Sequence, residues 1–331
     1  MVNTISTVAL GNSSITLSRQ GLGCMGLSEF YGEPVQKAEG IRLIHHALDL
    51  GVTFFDTADM YGNGHNEQLL ASALKGKREQ ATIATKFGIV REGANYARKI
   101  NGSPEYVRKA CHESLRRLET DYIDLYYIHR IDADTPIEDT VGEMARLVDE
   151  GKIRAIGICE ASAQTIQRAH QEHPLSAVQS EYSMFTRDPE QDILQITRDF
   201  NITFVAYSPI CRGLLSSSTV KNNDPKDVRA FFPRFQSDAY DNNQQIAHEL
   251  SKIAEDKHCS LAQLSLAWVM AQGRHIVPIP GTTKIKNLES NTAANQLVLT
   301  ETDLLHINKI LDSSIVSGAR YTVEGMKGVN I

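Results

Sequence analysis

Short apolar runs alternate with amphipathic runs from Gly21 to near the end of the chain. The apolar runs are continuous, which is typical of parallel strands that are buried on both faces. The runs between them repeat their apolar residues at helical spacing and therefore predict helices. The pattern predicts eight strands, in GLGCMGLS, VTFFDTA, ATIATKFG, IDLYYIHR, IRAIGICE, SAVQSEYS, ITFVAYSP and HIVPIPG.

The regular order of strand and helix predicts the fold class. No segment rich in proline or glycine divides the 331 residues, so we expect residues 1–331 to form a single domain. Strict alternation of strands and helices favours a closed (β/α)8 TIM barrel over two domains. Before the barrel, TVALGNSSITLSR predicts a hairpin with Gly11 and Asn12 at its turn. After it we expect extra C-terminal helices, one of them in ETDLLHINKIL.

Two stretches show no clear period: Val90–Ser103 after the third strand and Ile210–Asn243 after the seventh. Loops of this length in compact domains are usually lids or binding loops. In a TIM barrel the loops that follow the strands lie at the carboxyl end, where active sites form. We therefore predict irregular loops beside a functional site.

The stretch GLGCMG, Gly21–Gly26, has the spacing of the dinucleotide-binding fingerprint G-x-G-x-x-G. That fingerprint requires a helix directly after the glycines. Here Gly32 and Pro34 interrupt the next segment, and the first amphipathic run begins near Ala38. The context favours the end of a barrel strand over a doubly wound fold.

Composition narrows the class of protein. Hydrophobic residues make up 41% and charged residues 22%, as in an ordinary globular protein. A net charge of −6 gives no support to binding of nucleic acid or anionic membranes. The N-terminal residues lack signal-peptide features, and no apolar run is long enough to span a membrane. We expect a cytoplasmic protein.

Cysteine and histidine spacing predicts no metal site. The five cysteines are scattered without a C-x-x-C pair, so we expect reduced thiols rather than disulfides or a zinc site. His170 and His173 have helical spacing but no third ligand in the sequence nearby.

Four polar residues fall at or just beyond the ends of predicted strands: Asp56, Tyr61, Lys86 and His129. In a barrel these positions converge on one mouth. A lysine cation favours the phenolate and should lower the pKa of a neighbouring tyrosine, while an aspartate keeps the lysine charged and in place. Each residue alone could be a turn cap or core packing. Together they predict a site for proton transfer.

These residues lie in motifs that resemble the aldo-keto reductase superfamily. GLGCMGLS, FFDTADMYG, ATKFG, YYIHR and AYSP follow the family's order, and the resemblance covers residues 8–311. It implies a catalytic tetrad of Asp56, Tyr61, Lys86 and His129. It further implies that NADPH delivers hydride to a carbonyl carbon while Tyr61 protonates the oxygen. His129 would orient the carbonyl, and Lys86, paired with Asp56, would tune the tyrosine.

The resemblance also implies residues that bind NADPH or NADP⁺. They contact the ribose, the nicotinamide, the pyrophosphate, and the adenosine with its 2′-phosphate. In that order they are Cys24 and Met25; Cys159, Gln179 and Tyr207; Ser208, Ile210, Arg212, Gly213 and Leu214; and Gly281, Thr282, Lys284, Asn287 and Asn291.

The chain departs from the family pattern at three places. Cys159 stands where a serine is common, and Cys211 replaces a glycine in the pyrophosphate loop. The 2′-phosphate segment offers Lys284 and Lys286 but no arginine. Without an arginine there, we expect only a moderate preference for NADPH over NADH. None of the three departures removes the tetrad.

Three functions stay open at this point. The first is NADPH-dependent reduction of a small carbonyl compound. The second is an NADPH-binding redox sensor or channel-subunit-like partner protein with little turnover. The third is an aldolase with a Schiff base at Lys86, which the adjacent Asp56 disfavours by keeping the lysine protonated.

The substrate can be predicted only as a class. Phe30, Tyr31, Met60 and Phe87 predict an apolar pocket mouth that suits aliphatic or aromatic aldehydes, dicarbonyls or ketones. The oligomeric state and the preferred direction of reaction are not predicted.

Overall fold

The computed structural model describes residues 5–91, 98–216 and 226–330. Its strands are β1 Thr7–Ala9, β2 Thr16–Ser18, β3 Leu22–Gly23, β4 Phe54–Asp56, β5 Thr82–Phe87, β6 Ile89–Arg91, β7 Arg98–Ile100, β8 Leu125–Ile128, β9 Ile156–Cys159, β10 Ala177–Glu181, β11 Thr203–Tyr207 and β12 Ile276–Pro278. Its α-helices are α1 Lys37–Asp49, α2 His65–Leu74, α3 Pro104–Leu118, α4 Ile137–Asp149, α5 Ala163–Glu172, α6 Ile193–Asp199, α7 Ser237–Asp256, α8 Leu261–Ala271, α9 Ile285–Ala293 and α10 Glu301–Asp312.

Eight parallel strands form the barrel sheet, in the order β3, β4, β5, β8, β9, β10, β11 and β12. The two outer strands of this order also meet. Gly21 N donates to the carbonyl oxygen of Pro278 at 3.0 Å, and Gly23 forms a parallel bridge with Gly281. A β-carbon on Gly281 would lie 2.9 Å from the carbonyl oxygen of Gly23, so this seam requires glycine. The predicted (β/α)8 barrel is confirmed, and GLGCMG lies at the end of its first strand.

Side chains on each strand alternate between the barrel interior and the surrounding helices. On β5, Ile83 and Phe87 pack in the core between sheet and helices, whereas Ala84 packs in the interior. Lys86 has the same parity as Ala84 and reaches Asp56 of β4. Inward side chains at the carboxyl ends of the strands therefore face one another across one mouth. They are Asp56, Lys86, Cys159, Gln179 and Tyr207.

The predicted N-terminal hairpin lies at the opposite end of the barrel. β1 pairs antiparallel with β2, and Gly11 occupies the turn with a φ of 52°. Gly11 N donates to Thr203 Oγ1 at the start of β11. Leu10 and Leu17 are fully buried among interior residues such as Phe54. Because apolar side chains fill this end, a site on the barrel axis can open only at the carboxyl end.

The stretch Val90–Ser103 is more ordered than predicted, because β6 and β7 pair antiparallel within it. These strands have only three residues each and carry Arg91, Arg98 and Lys99, so they show no apolar period in the sequence. Residues 92–97 of this prediction lie outside the described residues.

The prediction for Ile210–Asn243 is also partly wrong, because α7 begins at Ser237. Its first turns, SDAYDNN, are polar and have no apolar residues at helical spacing, so the sequence pattern did not indicate the start of the helix. Asn243 is buried, and its amide donates to the carbonyl oxygens of Arg234 and Ser317. Residues 217–225 of the predicted loop lie outside the described residues.

The predicted C-terminal helix is confirmed as α10, which packs against α7. It begins with a capping box, in which Thr300 accepts from Asp303 N and Asp303 accepts from Thr300 N. None of the described helices is both long and apolar enough to cross a membrane.

Candidate active site

Asp56, Lys86 and Tyr61 form one hydrogen-bonded group at the carboxyl end of the barrel. The Lys86 side chain has no exposed surface, and its Nζ donates to Asp56 Oδ1, to the carbonyl oxygen of Thr57 at 2.7 Å and to the Tyr61 hydroxyl at 3.3 Å. Asp56 Oδ2 accepts from Gln179 Nε2 at 2.7 Å. An ammonium has three protons to donate, so these contacts fix the lysine completely.

Burial raises the pKa of Tyr61 above its ordinary value of 10. The Lys86 ammonium lowers this pKa, as the sequence predicted, but the Asp56 carboxylate raises it again. The prediction of a lowered tyrosine pKa is therefore wrong in its net direction. The phenol is buried, and the ion pair next to it is close to neutral. Tyr61 thus keeps its proton at neutral pH.

The Lys86 ammonium stays protonated at neutral pH. Burial lowers its pKa, but Asp56 and Tyr61 raise it, and the net direction is upward. A protonated amine is not a nucleophile, so Lys86 is poorly suited to form a Schiff base. This geometry argues against the aldolase hypothesis.

His129 directly follows β8 and lies beside Tyr61. The two rings meet edge to face, with 5.9 Å between centroids and 84° between planes. The backbone N–H of His129 donates to the carbonyl oxygen of Phe87 at 2.8 Å, which ties the residue to the end of β5. The structure therefore brings together the four residues that were predicted from the strand ends.

A small apolar cluster lines one side of Tyr61. It consists of Phe30, Ala58, Met60, Tyr61 and Ile89, with Met25, Tyr31 and Val228 packed against it. Phe87 is not part of it. Phe87 stacks on Tyr126 with 4.8 Å between centroids, in the layer between sheet and helices, so its predicted place at the pocket mouth is wrong. Successive side chains of a strand point to opposite faces of the sheet. Because Lys86 faces the barrel interior, its neighbour Phe87 points away from it, toward the helices.

The residues implied for cofactor binding follow an arc from β3 across β9, β10 and β11 to α9. They differ in how far their side chains are buried. Buried members are Cys24, Cys159, Gln179, Leu214 and Asn291; half-buried members are Met25, Tyr207, Ser208, Ile210, Arg212, Gly213 and Thr282; and exposed members are Gly281, Lys284 and Asn287.

The loop after β11 has an unusual backbone. Ser208, Cys211, Arg212 and Gly213 have φ values of 50°, 47°, 53° and 99°. Positive φ is uncommon for residues other than glycine. Cys211 therefore adopts a conformation that glycine would adopt without strain. This agrees with the family pattern, in which glycine stands at this position. Its sulfur is buried and accepts from Arg234 Nη1 at 3.5 Å.

Arg212 is held by Glu181 at the carboxyl end of β10, with Nη2 2.6 Å from Oε2. Its guanidinium also lies over the rings of Phe232 and Tyr321, at 4.8 Å and 4.6 Å from their centroids. A cation fixed in this way keeps its position without a ligand.

The start of α9 fits an anionic group. Lys284 occupies the position before the helix, and no side chain caps the first turn. Both Lys284 and Lys286 are exposed there. Uncapped amides at a helix start and a nearby cation both favour phosphate.

A C-terminal strap, residues 316–330, runs across the barrel mouth and was not predicted from the sequence. Arg320 pairs with Glu160 through two hydrogen bonds of 2.9 and 3.1 Å, and the hydroxyls of Tyr321 and Tyr207 lie 2.9 Å apart. Further along, the amide N–H of Ile131 donates to the carbonyl oxygen of Gly328 at 3.2 Å. The strap has no apolar period, and its one regular element is a short 3-10 helix, Glu324–Met326, so only its basic and aromatic residues could have indicated a role.

Comparison with known proteins identifies relatives of the chain. The model of the Aldo/keto reductase family matches residues 21–312. A probable aldo-keto reductase 1 from Glycine max is 48% identical over 320 residues, which cover 96% of this chain and 92% of that protein.

Solved structures share the fold. A glycerol dehydrogenase from Gluconobacter oxydans has a TM-score of 0.84 and 30% identity, covering 95% of this chain and 97% of that one. The holo form of an aldo-keto reductase from Bacillus halodurans has a TM-score of 0.80 and 28% identity, covering 95% and 98% of the two chains.

Proposed function

Because the chain belongs to the aldo-keto reductase family, we propose that it reduces aldehydes or ketones to alcohols with NADPH and with Tyr61 as general acid. Family membership makes the protein an oxidoreductase that acts on carbonyl compounds. The finer assignment rests on one observation. The buried Lys86 ammonium is fixed by Asp56 and the carbonyl oxygen of Thr57, and its third acceptor is the Tyr61 hydroxyl.

In the proposed mechanism, Tyr61 donates its proton to the substrate oxygen as negative charge develops there. His129, beside Tyr61, orients the carbonyl. The Lys86 ammonium, 3.3 Å from the phenolic oxygen, stabilises the phenolate that forms. Asp56 and the carbonyl oxygen of Thr57 hold the lysine in place, and Gln179 holds Asp56, so these groups are already positioned before reaction. Preorganised groups of this kind cost no reorganisation during the reaction.

The donor groups at the carboxyl end fit a dinucleotide that carries phosphates. NADPH, when bound, supplies a hydride from C4 of its nicotinamide to the carbonyl carbon. We assign Cys159, Gln179 and Tyr207 to the nicotinamide, since they face the barrel interior at the strand ends. The loop at residues 208–214 is assigned to the pyrophosphate, and the uncapped start of α9 with Lys284 to the 2′-phosphate.

A substrate panel tests the proposed function. Purified protein is assayed with aliphatic aldehydes, aromatic aldehydes, dicarbonyls and ketones, each with NADPH and with NADH, and oxidation of the cofactor is followed by absorbance. We expect turnover of at least one aldehyde class, with a lower KM for NADPH than for NADH because Lys284 and Lys286 attract the 2′-phosphate. Tight NADPH binding without turnover of any carbonyl compound would instead support the redox-sensor alternative.

The direction of the Tyr61 pKa predicts the pH dependence of reduction. The acid form of Tyr61 is the active one, and its raised pKa keeps that form populated up to at least pH 10. Activity should therefore not decline through Tyr61 ionisation between about pH 6 and about pH 10. The measurement is kcat/KM across this range, with the residual activity of Tyr61→Phe as the baseline. A decline near pH 8 in the wild type that is absent from the variant would contradict the raised pKa.

A further inference from the structure

Arg130 lies directly after His129 at the barrel mouth and is only 6% exposed. Its Nη1 donates to the carbonyl oxygen of His129 at 2.8 Å. Its Nε is buried without a hydrogen-bond partner, and no group within residues 5–91, 98–216 and 226–330 accepts from Nη2. One edge of the guanidinium, Nε with Nη2, is thus left without an acceptor.

The other buried arginines at the mouth are paired with carboxylates. Arg212 and Arg234 both pair with Glu181, and Arg320 pairs with Glu160. Within the described part of the chain, Arg130 has no ion pair of its own.

The buried charged groups at the mouth include more cations than anions. The four guanidiniums face two carboxylates, so four minus two leaves a net charge of +2. The Lys86 and Asp56 charges cancel each other. This excess stands against a net charge of −6 for the whole chain. Buried charge without compensation is unfavourable, so the mouth favours an anionic ligand.

The thiol of Cys159 lies near both Arg130 and Lys86, which places Arg130 near the reacting groups. Burial raises the pKa of the Cys159 thiol, while the charges of Lys86 and Arg130 both lower it. The thiol on β9 therefore lies within electrostatic reach of both cations. Arg130 is next to His129 at the end of β8, whereas the loop assigned to the pyrophosphate follows β11. Its position therefore suits the substrate better than the phosphates of the cofactor.

We infer that Arg130 binds a carboxylate of the substrate through its Nε–Nη2 edge. The substrates that this site selects are aldehydes or ketones with a carboxylate close to the reacting carbonyl. A planar guanidinium edge matches a carboxylate with two parallel hydrogen bonds. Both unused donors of Arg130 are then satisfied. This inference rests on the proposed carbonyl reduction.

The test compares matched substrates. The 2-, 3- and 4-carboxybenzaldehydes and their methyl esters are reduced by wild type, Arg130→Met and Arg130→Lys. In the wild type, kcat/KM for at least one carboxylate should exceed that of its ester by about tenfold or more. In Arg130→Met this ratio should fall to about one, and Arg130→Lys should retain part of it. An unchanged ratio in Arg130→Met would overturn the inference.

Two further measurements keep the outcome interpretable. Arg154→Met is the matched control. Arg154 is half exposed, pairs with Asp124 and lies before β9 at the other end of the barrel. The ratio of kcat/KM for the carboxylate to kcat/KM for the ester should therefore be the same in this variant as in the wild type. Benzoate binding, followed by protein fluorescence, should weaken in Arg130→Met even if no aldehyde is reduced, which separates this inference from the proposed function. If Arg130→Met instead weakens NADPH binding and leaves benzoate binding unchanged, the residue belongs to the cofactor site and the inference is wrong.

Discussion

Replacing Tyr61 with phenylalanine should slow carbonyl reduction by about 10²- to 10⁴-fold, the range expected for a lost general acid. The phenylalanine ring can keep the edge contact with His129 and the packing against Phe30 and Met60, so only the hydroxyl is removed. The measurement is kcat from NADPH absorbance with the best aldehyde of the panel. NADPH affinity, measured by fluorescence, should change little, because the hydroxyl is assigned to the substrate.

Tyr122→Phe is the matched control for this substitution. Tyr122 lies between the guanidiniums of Arg78 and Arg154, which are 4.2 Å and 3.7 Å from its ring centroid, before β8 and away from the mouth. Its loss of a hydroxyl should leave kcat unchanged. Equal activity of Tyr61→Phe and Tyr122→Phe would exclude Tyr61 as the proton donor.

Replacing Lys86 with methionine should eliminate most of the activity and also destabilise the fold. Without the ammonium, the Tyr61 phenolate loses its stabilising charge, and the Asp56 carboxylate is left in a buried site with Gln179 as its remaining side-chain donor. Breaking a buried ion pair in this way typically costs about 3 to 5 kcal/mol. The free energy of unfolding from denaturant titration and kcat from NADPH absorbance measure the two effects.

The double variant Asp56→Asn with Lys86→Met separates stability from catalysis. It removes both charges, so much of the lost free energy of unfolding should return, because no carboxylate is left buried without its cation. Activity should stay low, since the group that stabilises the phenolate is still missing. A double variant that regains activity together with stability would contradict the role of Lys86 in proton transfer.

The barrel was predictable because its strands carry two independent signals. Continuous apolar runs mark them as buried on both faces, and polar residues at their ends interrupt that pattern. Asp56 and Lys86 stand out for this reason, and the parity of inward side chains then places them together. The hairpin around Gly11 was predictable from its turn residues.

Other parts of the site gave no such signal. The strap at residues 316–330 is irregular, and its contacts with Glu160 and Tyr207 depend on where the chain returns after α10. The net pKa shift of Tyr61 was predicted in the wrong direction, because burial cannot be judged from the identity of neighbouring residues. Arg130 lies within the motif YYIHR, but its unused guanidinium edge becomes visible only when its neighbours are placed.

Hydride transfer from the cofactor can be followed with NADPH that carries deuterium at both C4 positions, so that either face of the nicotinamide delivers deuterium. Benzaldehyde is reduced with this cofactor, and the alcohol is analysed by mass spectrometry. We expect benzyl alcohol with one deuterium on its carbinol carbon from the wild type, and we expect Tyr61→Phe to form it about 10²-fold more slowly or slower still. Alcohol without deuterium, or deuterated alcohol formed equally fast by the variant, would contradict the proposed mechanism.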